Sequence, residues 1–275
     1  MITRFAPAPT GYLHIGHVLN AIYVWGVARR IGARVMLRIE DHDRQRSRPA
    51  FEDALREDLT WLGFMPEAES RQSDRTAIYD EALARLRAAG LTYACGCTRR
   101  DSAGERYSGR CRERSLAETP GHGIRVRIEA GEERFDDLRL GPQLQTPADQ
   151  SGDVLLRDRL GCWTYQFAAT VDDFAQGVTH VIRGEDLLSS TGRQIRLARL
   201  LGRDAPPAFL HHALLMKTPL QKISKSDGDT GVRDLRAAGW RASEVIGHAA
   251  ALGGLIESPR DLHADEVSTL SFRGI

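Results

Sequence analysis

Three short stretches of the chain carry side chains whose types and spacing suit chemistry. In His14-Ile15-Gly16-His17 two imidazoles stand three residues apart, one turn on a helix, where both can donate to phosphate oxygens as charge builds there. Gly16 lacks a side chain, so a flat base can lie on the backbone. In Lys222-Ile223-Ser224-Lys225-Ser226, followed by Asp227-Gly228-Asp229, two lysines flank serine and suit a mobile phosphate clamp. Of the 38 Lys and Arg residues only three are lysine, Lys217, Lys222 and Lys225, and all fall in one short window. Lysine is a compact, flexible point charge where arginine is a rigid fork. Finally, Cys95, Cys97 and Cys111 lie within 17 residues, a thiolate spacing that favours zinc. A closed tetrahedral site needs a fourth ligand. Tyr107 is an unusual one on general grounds, and Cys162 is far along the chain, where a small buried hydrophobe is its more ordinary role. Taken singly, each stretch has a plain explanation: a helix start with two histidines, a solvated charged loop, reduced core thiols.

The elements that must position these residues alternate at first between strand and helix. Ile2–Ala6 reads as a strand, and residues 16–30 as a helix with Val18, Ile22 and Trp25 at helical spacing. Arg34–Glu40 is a second strand. Pro49 opens a second helix with an apolar stripe of Phe51, Leu55, Leu59 and Leu62, closed by Gly63. A third helix is predicted from about Arg75 to Ala89. Such a β-α-β-α start implies an α/β fold with a parallel, doubly wound sheet. The pattern breaks over residues 90–164, which hold the cysteines and short alternating runs such as Ile124–Ile128, and this segment reads as an inserted α+β module. Alternation returns with strands at Val178–Ile182 and Phe209–Met216 and a helix over Thr191–Leu201, and a further helix is expected near Glu244–Leu252. The expected division is 1–89 for the first half of the catalytic domain, 90–164 for the insertion, 165–230 for the second half with the lysine loop, and 231–275 for a short helical segment. The His14–His17 run then falls between the first strand and the first helix, where open α/β sheets bind ligands and helix N–H groups attract phosphate.

The His-Ile-Gly-His run after strand one and the Lys-Ile-Ser-Lys-Ser loop near the end of the same α/β unit together resemble class I aminoacyl-tRNA synthetases. Neither G-x-x-x-x-G-K-[ST] nor G-x-G-x-x-G occurs, so P-loop and dinucleotide folds lose support. Arg4-Phe5-Ala6-Pro7-Ala8-Pro9-Thr10-Gly11 is similar to the R-F-A-P-S-P-T-G of the glutamyl branch, and Arg38-Ile39-Glu40-Asp41 to its R-I-E-D. Val171-Asp172-Asp173 and Val181-Ile182-Arg183-Gly184-Glu185-Asp186 resemble its amino-acid pocket. The resemblance implies a glutamate site lined by Arg4, Ala6, Ala8, Glu40, Tyr165 and Arg183. An arginine can hold a carboxylate through two parallel hydrogen bonds, and an acidic residue can pair with the ammonium. It implies ATP binding at His14, Gly16, His17, Lys222 and Lys225, with His14, His17 and Lys225 catalytic and magnesium as the ATP counter-ion. Ala8 stands where the branch has serine, so a substrate-contacting hydroxyl is missing.

The C-x-C and Y-x-x-x-C spacing resembles the zinc module of glutamyl-queuosine tRNA(Asp) synthetases, which implies a structural Zn2+ on Cys95, Cys97, Tyr107 and Cys111. Only 49 residues follow Ser226, whereas full glutamyl-tRNA synthetases continue into a helical anticodon-binding region. That family is implied to be a ligase that activates glutamate without tRNA and esterifies it to queuosine in the anticodon loop of tRNA(Asp). Three other readings stay open: a shortened glutamyl-tRNA synthetase charging the 3′ end, an adenylyltransferase for a small molecule, and a non-catalytic RNA-binding paralogue.

Composition fits such a protein without demanding it. The formal net charge of +1 announces no global field for nucleic acid, so a polyanion must meet a local patch. Arg99, Arg100, Arg106, Arg110, Arg112 and Arg114 crowd one segment. No long apolar stretch or secretory leader is evident, and four cysteines without a disulfide framework fit a cytoplasmic location. No obligate protein partner is evident.

Overall fold

A computed structural model of the chain describes residues 1–98, 101, 106–218, 221–222 and 231–274, with 216–218 and 221–222 described by backbone alone. The elements run β1 (Ile2–Phe5), α1 (Ile15–Ile31), β2 (Arg34–Ile39), α2 (Pro49–Leu62), β3 (Ala68–Arg71), α3 (Thr76–Ala88), β4 (Thr92–Cys95), β5 (Gly123–Val126), β6 (Glu133–Asp137), β7 (Gly141–Gln145) and a short α4 (Pro147–Gln150). They continue with β8 (Val154–Arg157), α5 (Tyr165–Ala175), β9 (His180–Gly184), α6 (Thr191–Leu200), β10 (Ala208–His212), β11 (Met216–Thr218), β12 (Gln221–Lys222), α7 (Val232–Ala237) and α8 (Ala242–Leu252).

Two parallel sheets meet at the centre. One has the order β1-β2-β3, and the other runs β7-β6-β10-β9. All the pairings in them are parallel except the β6–β7 hairpin. The edge strands β1 and β9 of the two sheets lie against each other: just before β9 the Thr179 amide donates to the Ile2 carbonyl at 2.9 Å, and Ile2 N–H donates to Thr179 Oγ1 at 2.9 Å. From β1 the chain leads off to one side and from β9 to the other, so the strand ends here bound a crevice where parallel α/β sheets bind ligands.

Helix α1 spans the back of this junction, packed on β1, β2 and β9 and against α8. It is apolar around most of its circumference because the segment after α8 covers its outer face: Leu262, Val267, Leu270 and Phe272 are buried in the same core as Val18, Ile22 and Trp25. At Gly26 a Cβ would come within 2.4 Å of Phe272 Cζ, so only glycine permits that approach. The buried residues between 232 and 272 thus belong to the main core. Helix α2 begins at Pro49 and stops at Gly63, which takes φ +84, as the proline and glycine signals predict.

The 90–164 stretch is divided between two places. Strands β4, β5 and β8 form a separate antiparallel sheet whose core includes Ile124, Val126 and Leu156 together with Leu83 and Phe167. Strands β6 and β7 return instead to the main sheet, where Asp137 pairs in register with Phe209 of β10. The inward-facing positions of β6 are Glu133, Phe135 and Asp137; Glu133 is paired with Arg196 and Arg199, and Asp137 is hydrogen-bonded to His211. A further difference from the sequence reading is β3, a short half-exposed strand on β2.

Candidate active site

The crevice is floored by charged side chains buried where strands end. Arg4 on β1 and Arg38 on β2 converge on one oxygen of Asp173: Arg4 Nε lies 3.0 Å and Arg38 Nη2 2.6 Å from Oδ1. Burial alone would raise the Asp173 carboxyl, but Arg4 and Arg38 outweigh it and hold it down at about 2. The neighbouring Asp172 also lies 3.8 Å from Arg38 Nε, but its hydrogen bonds run toward α3. It accepts from Gln72 Nε2 at 2.9 Å, Arg75 Nε at 2.6 Å and Tyr79 Oη at 2.8 Å. Adjacent helical residues point about 100° apart, so one step of α5 ties both β1–β2 and the start of α3.

Glu40 follows directly on β2 and is 5% exposed. Its backbone N–H donates to Pro7 O at 3.1 Å, which stitches the end of β2 to the loop carrying Ala6 and Ala8. Both alanines are half-buried, alternating with buried Pro7 and Pro9. Burial pushes the Glu40 carboxyl up to about 7 even though Arg38 and Arg4 oppose it. Arg183 on β9 is 4% exposed, and burial lowers its pKa. Its guanidinium donates to Gln194 Oε1 at 2.8 Å, Thr191 Oγ1 at 2.9 Å and His211 Nε2 at 3.0 Å, all neutral groups. Among the described residues no carboxylate forms an ion pair with it. Tyr165, the first residue of α5, completes the ring; burial raises its phenol, and Arg183, Glu40 and Arg4 all act on it. The structure thus brings Arg4, Glu40, Tyr165 and Arg183 to one place. Asp173, Thr191, Gln194 and His211 complete that place and were not among the expected site residues. A pair of histidines closing an apolar run, Phe209-Leu210-His211-His212, is the signal that could have found the last of them.

His14 is the N-cap of α1. Its Nδ1 accepts the Gly16 amide at 3.1 Å, while His17 Nδ1 accepts the His14 amide at 3.1 Å. The rings lie 3.9 Å apart. Because each Nδ1 accepts, a neutral ring carries its proton on Nε2, the tautomer that can donate to an incoming oxygen. Gly16 has a second role besides making room for a base: a Cβ there would sit 2.9 Å from His14 Cε1. His14 also bridges to Gly231, and Val232 N–H donates to Leu13 O at 2.9 Å. The chain emerging from the lysine loop is therefore fastened to the histidine run. Lys225 lies outside the described residues, as does the side chain of Lys222.

Away from the crevice, Cys95, Cys97 and Cys111 bring their sulfurs within 4.8 Å of one another. Cys97 and Cys111 Sγ are 3.6 Å apart, and Tyr107 Oη lies 3.4 Å from Cys95 Sγ and 4.0 Å from Cys97 Sγ. A tetrahedral zinc with bonds of about 2.3 Å needs sulfurs about 3.8 Å apart, so the donor set fits that ion. Arg125 donates to Cys95 Sγ at 3.3 Å and lies 3.6 Å over the Tyr107 ring, a cation beside what would be an anionic thiolate cluster. Cys162 stands apart from this group. It lines a cleft of about 650 Å³ that runs from Tyr165 and His42 past Trp163 and Arg159 to Cys97. Among the described residues no helix is long and apolar enough to cross a membrane.

The family model for class I tRNA synthetases (E and Q), catalytic domain, matches residues 1–272. The chain is 40% identical to the Glutamyl-Q tRNA(Asp) synthetase of Symbiobacterium thermophilum, over 96% of this chain and 90% of that protein. It is 41% identical to the protein of the same name from Burkholderia cenocepacia, over 94% and 90%. It is also 41% identical to Glutamate–tRNA ligase 2 of Methylobacterium radiotolerans, over 94% of this chain but 61% of that ligase. Among solved structures, a glutamate tRNA ligase from Elizabethkingia meningosepticum in complex with its amino acid superposes with a TM-score of 0.84 at 28% identity. That match covers 100% of this chain and 65% of the solved one, so the chain spans about two thirds of its length.

Proposed function

The chain belongs to the class I tRNA synthetases of the glutamate and glutamine type, and from that membership we propose that it activates glutamate with ATP and transfers it to queuosine in tRNA(Asp). The observation that carries the choice of amino acid is Arg183. A guanidinium buried among neutral partners, with no carboxylate paired to it among the described residues, suits a ligand that brings its own carboxylate. Glu40, buried across the pocket, suits the ammonium.

In this reading Arg183, Arg4, Tyr165 and Glu40 hold glutamate. An oxygen of its α-carboxylate attacks the α-phosphorus of ATP, and the bond to the β,γ-pyrophosphate breaks. The Nε2–H groups of His14 and His17 donate to the oxygens that gain charge, and Lys225 with Lys222 holds the departing pyrophosphate. Magnesium accompanies ATP as its counter-ion. A hydroxyl of the acceptor then attacks the activated carbonyl, loses its proton, and AMP leaves. The cleft from Tyr165 to Cys97 gives that acceptor a route, with Arg46 and Arg159 on its walls for phosphates and Trp163 for a base. Zinc on Cys95, Cys97, Tyr107 and Cys111 would supply structural cross-linking to the module forming one wall.

Transfer to queuosine, as opposed to a 3′ end, is supported by the names of the relatives and by the cysteine–tyrosine cluster. It is tested by offering labelled glutamate and ATP with tRNA from cells that make queuosine and cells that do not. Label on the queuosine-containing tRNA alone is the expected result. Equal labelling would mean conventional charging. No label on either would mean a different acceptor or a non-catalytic protein.

A further inference from the structure

The buried histidine beneath Arg183 is connected to more than the arginine. His211 is 0% exposed, and its Nδ1 lies 2.7 Å from Oδ2 of Asp137, itself 2% exposed. The same Oδ2 accepts the His211 backbone N–H at 3.0 Å. The other Asp137 oxygen accepts the N–H groups of Arg139 and Leu140 at 3.0 and 2.9 Å. Asp137 is thereby ionised: burial would raise its carboxyl, but His211 and these amides outweigh that and lower it. Burial keeps His211 itself neutral by lowering its pKa. One tautomer satisfies these contacts. Nδ1 carries the proton and donates to Asp137, and Nε2 carries the lone pair that accepts from Arg183 Nε at 3.0 Å. Thr191 Oγ1 sits 3.1 Å from the same Nε2.

We propose that Asp137 and His211 form a positioning relay for Arg183, holding its counter-charge one imidazole away so that the guanidinium stays charged and oriented while its carboxylate-binding edge is left to the amino acid. The inference rests on the reading that Arg183 receives the substrate carboxylate. The physical case concerns competition. A buried arginine needs a compensating charge, but an aspartate in direct contact would occupy the two parallel N–H groups that a substrate carboxylate requires. Placing the aspartate behind a neutral imidazole keeps the attraction. The imidazole takes only Nε–H, which fixes the rotation of the guanidinium plane. Gln194 holds Nη1, and Thr191 holds Nη2, both from on or at the start of α6, with the Leu187 carbonyl a longer 3.4 Å from Nη2. The hairpin β6–β7 returns to the main sheet at the place that delivers Asp137 to β10.

A glutamine at 211 can imitate the relay, since its amide donates from nitrogen and accepts at oxygen. Leucine can only fill space. Asparagine at 137 removes the charge and can present a donor to Nδ1, which would drive the proton to Nε2, against Arg183. The test is glutamate-dependent exchange of pyrophosphate into ATP by the full chain and by His211→Gln, His211→Leu and Asp137→Asn, with KM for glutamate and for ATP, inhibition by glutamine, and Tm. The relay predicts that His211→Leu and Asp137→Asn raise the glutamate KM by about tenfold or more, the scale of a lost hydrogen bond to a charged group. KM for ATP and inhibition by glutamine, whose side chain is neutral, should change less than about twofold, since neither offers Arg183 a side-chain carboxylate. His211→Gln should stay within about threefold of wild type. A structural role alone would lower Tm and weaken ATP, glutamate and glutamine together, and that pattern, or an unchanged glutamate KM in all three variants, overturns the relay. A wild type that exchanges no pyrophosphate with glutamate overturns the substrate reading and the relay with it. A wild type that exchanges while its variants fail the predicted split overturns the relay alone.

Discussion

Arg38 on β2 and Glu40 just beyond its end are both buried, with Nη1 of the arginine 3.9 Å from Oε1 of the glutamate. The arginine makes its shorter contact, 2.6 Å, with Asp173. Glu40 is therefore under-compensated, while Asp173 is held by two guanidinium groups. The pair of carboxylates has been driven apart: one is anionic in all ordinary conditions, and the other changes charge near neutrality.

Glutamate binding should consequently depend on pH. Glu40 must be anionic to pair with an ammonium, and its folded value of about 7 leaves it neutral below that. KM for glutamate is expected to climb as pH falls below 7, toward roughly tenfold per unit, and Glu40→Gln should flatten the slope while raising KM throughout. Stability has the opposite sign. The folded value lies above the ordinary 4.5, so the stability contributed by its proton is full below 4.5 and lost as pH rises through 7. Melting curves across this range, with and without glutamate, check both.

Gly16→Ala should damage catalysis more than folding. The new Cβ, 2.9 Å from His14 Cε1, would push the ring off the Gly16 amide and turn its Nε2 away. Loss of the N-cap costs about 1 kcal/mol. The expected result is a kcat for pyrophosphate exchange lowered by roughly a hundredfold to a thousandfold, the range of a lost transition-state donor, with KM for glutamate little changed. A kcat equal to wild type would mean that the His14 ring plays no part in the step.

Lys225→Ala is expected to cut adenylate formation by roughly a hundredfold or more while Tm holds, because a point charge on the leaving pyrophosphate acts late in the reaction. Unchanged pyrophosphate exchange would remove that lysine from the mechanism.

Metal content should follow the sulfur cluster. The purified protein is expected to carry about one zinc per chain, and Cys97→Ser or Cys111→Ser to lose it, with Tm lowered and tRNA transfer reduced more than tRNA-free glutamate activation. Elemental analysis and melting curves decide this. Tyr107→Phe, which keeps the ring under Arg125 but removes the oxygen, separates ligation by Tyr107 from packing. Full zinc retention by that variant would exclude the tyrosine as a ligand.

The parts of the fold that could be read from sequence are those whose burial follows one simple period. Val18, Ile22 and Trp25 mark α1, and Pro49 and Gly63 bracket α2. Strand β3, Ala-Glu-Ser-Arg, has no apolar alternation, since it sits half-exposed at the end of its sheet and is a strand only by its pairing with β2. Strand β6 alternates, but with Glu133 and Asp137 inward, so a search for hydrophobic period two passes over it. The expected pocket residues Arg4, Glu40 and Arg183 were nameable because they lie in motif runs, and Tyr165 only through the family resemblance. Asp137 and His211 were not, because their significance is their contact with each other, across 74 positions of chain.

Asp172 and Asp173 carry one more implication, for which changes of length the gene can tolerate. The first is bonded toward α3 and the second toward β1 and β2, from consecutive positions of one helix. One added or deleted residue early in α5 would rotate both by about 100° and turn each carboxylate away from its arginines. The loops on either side can absorb such an event. Within α5 it would break the charge pairing of two walls at once, so the helix admits substitutions far more readily than insertions.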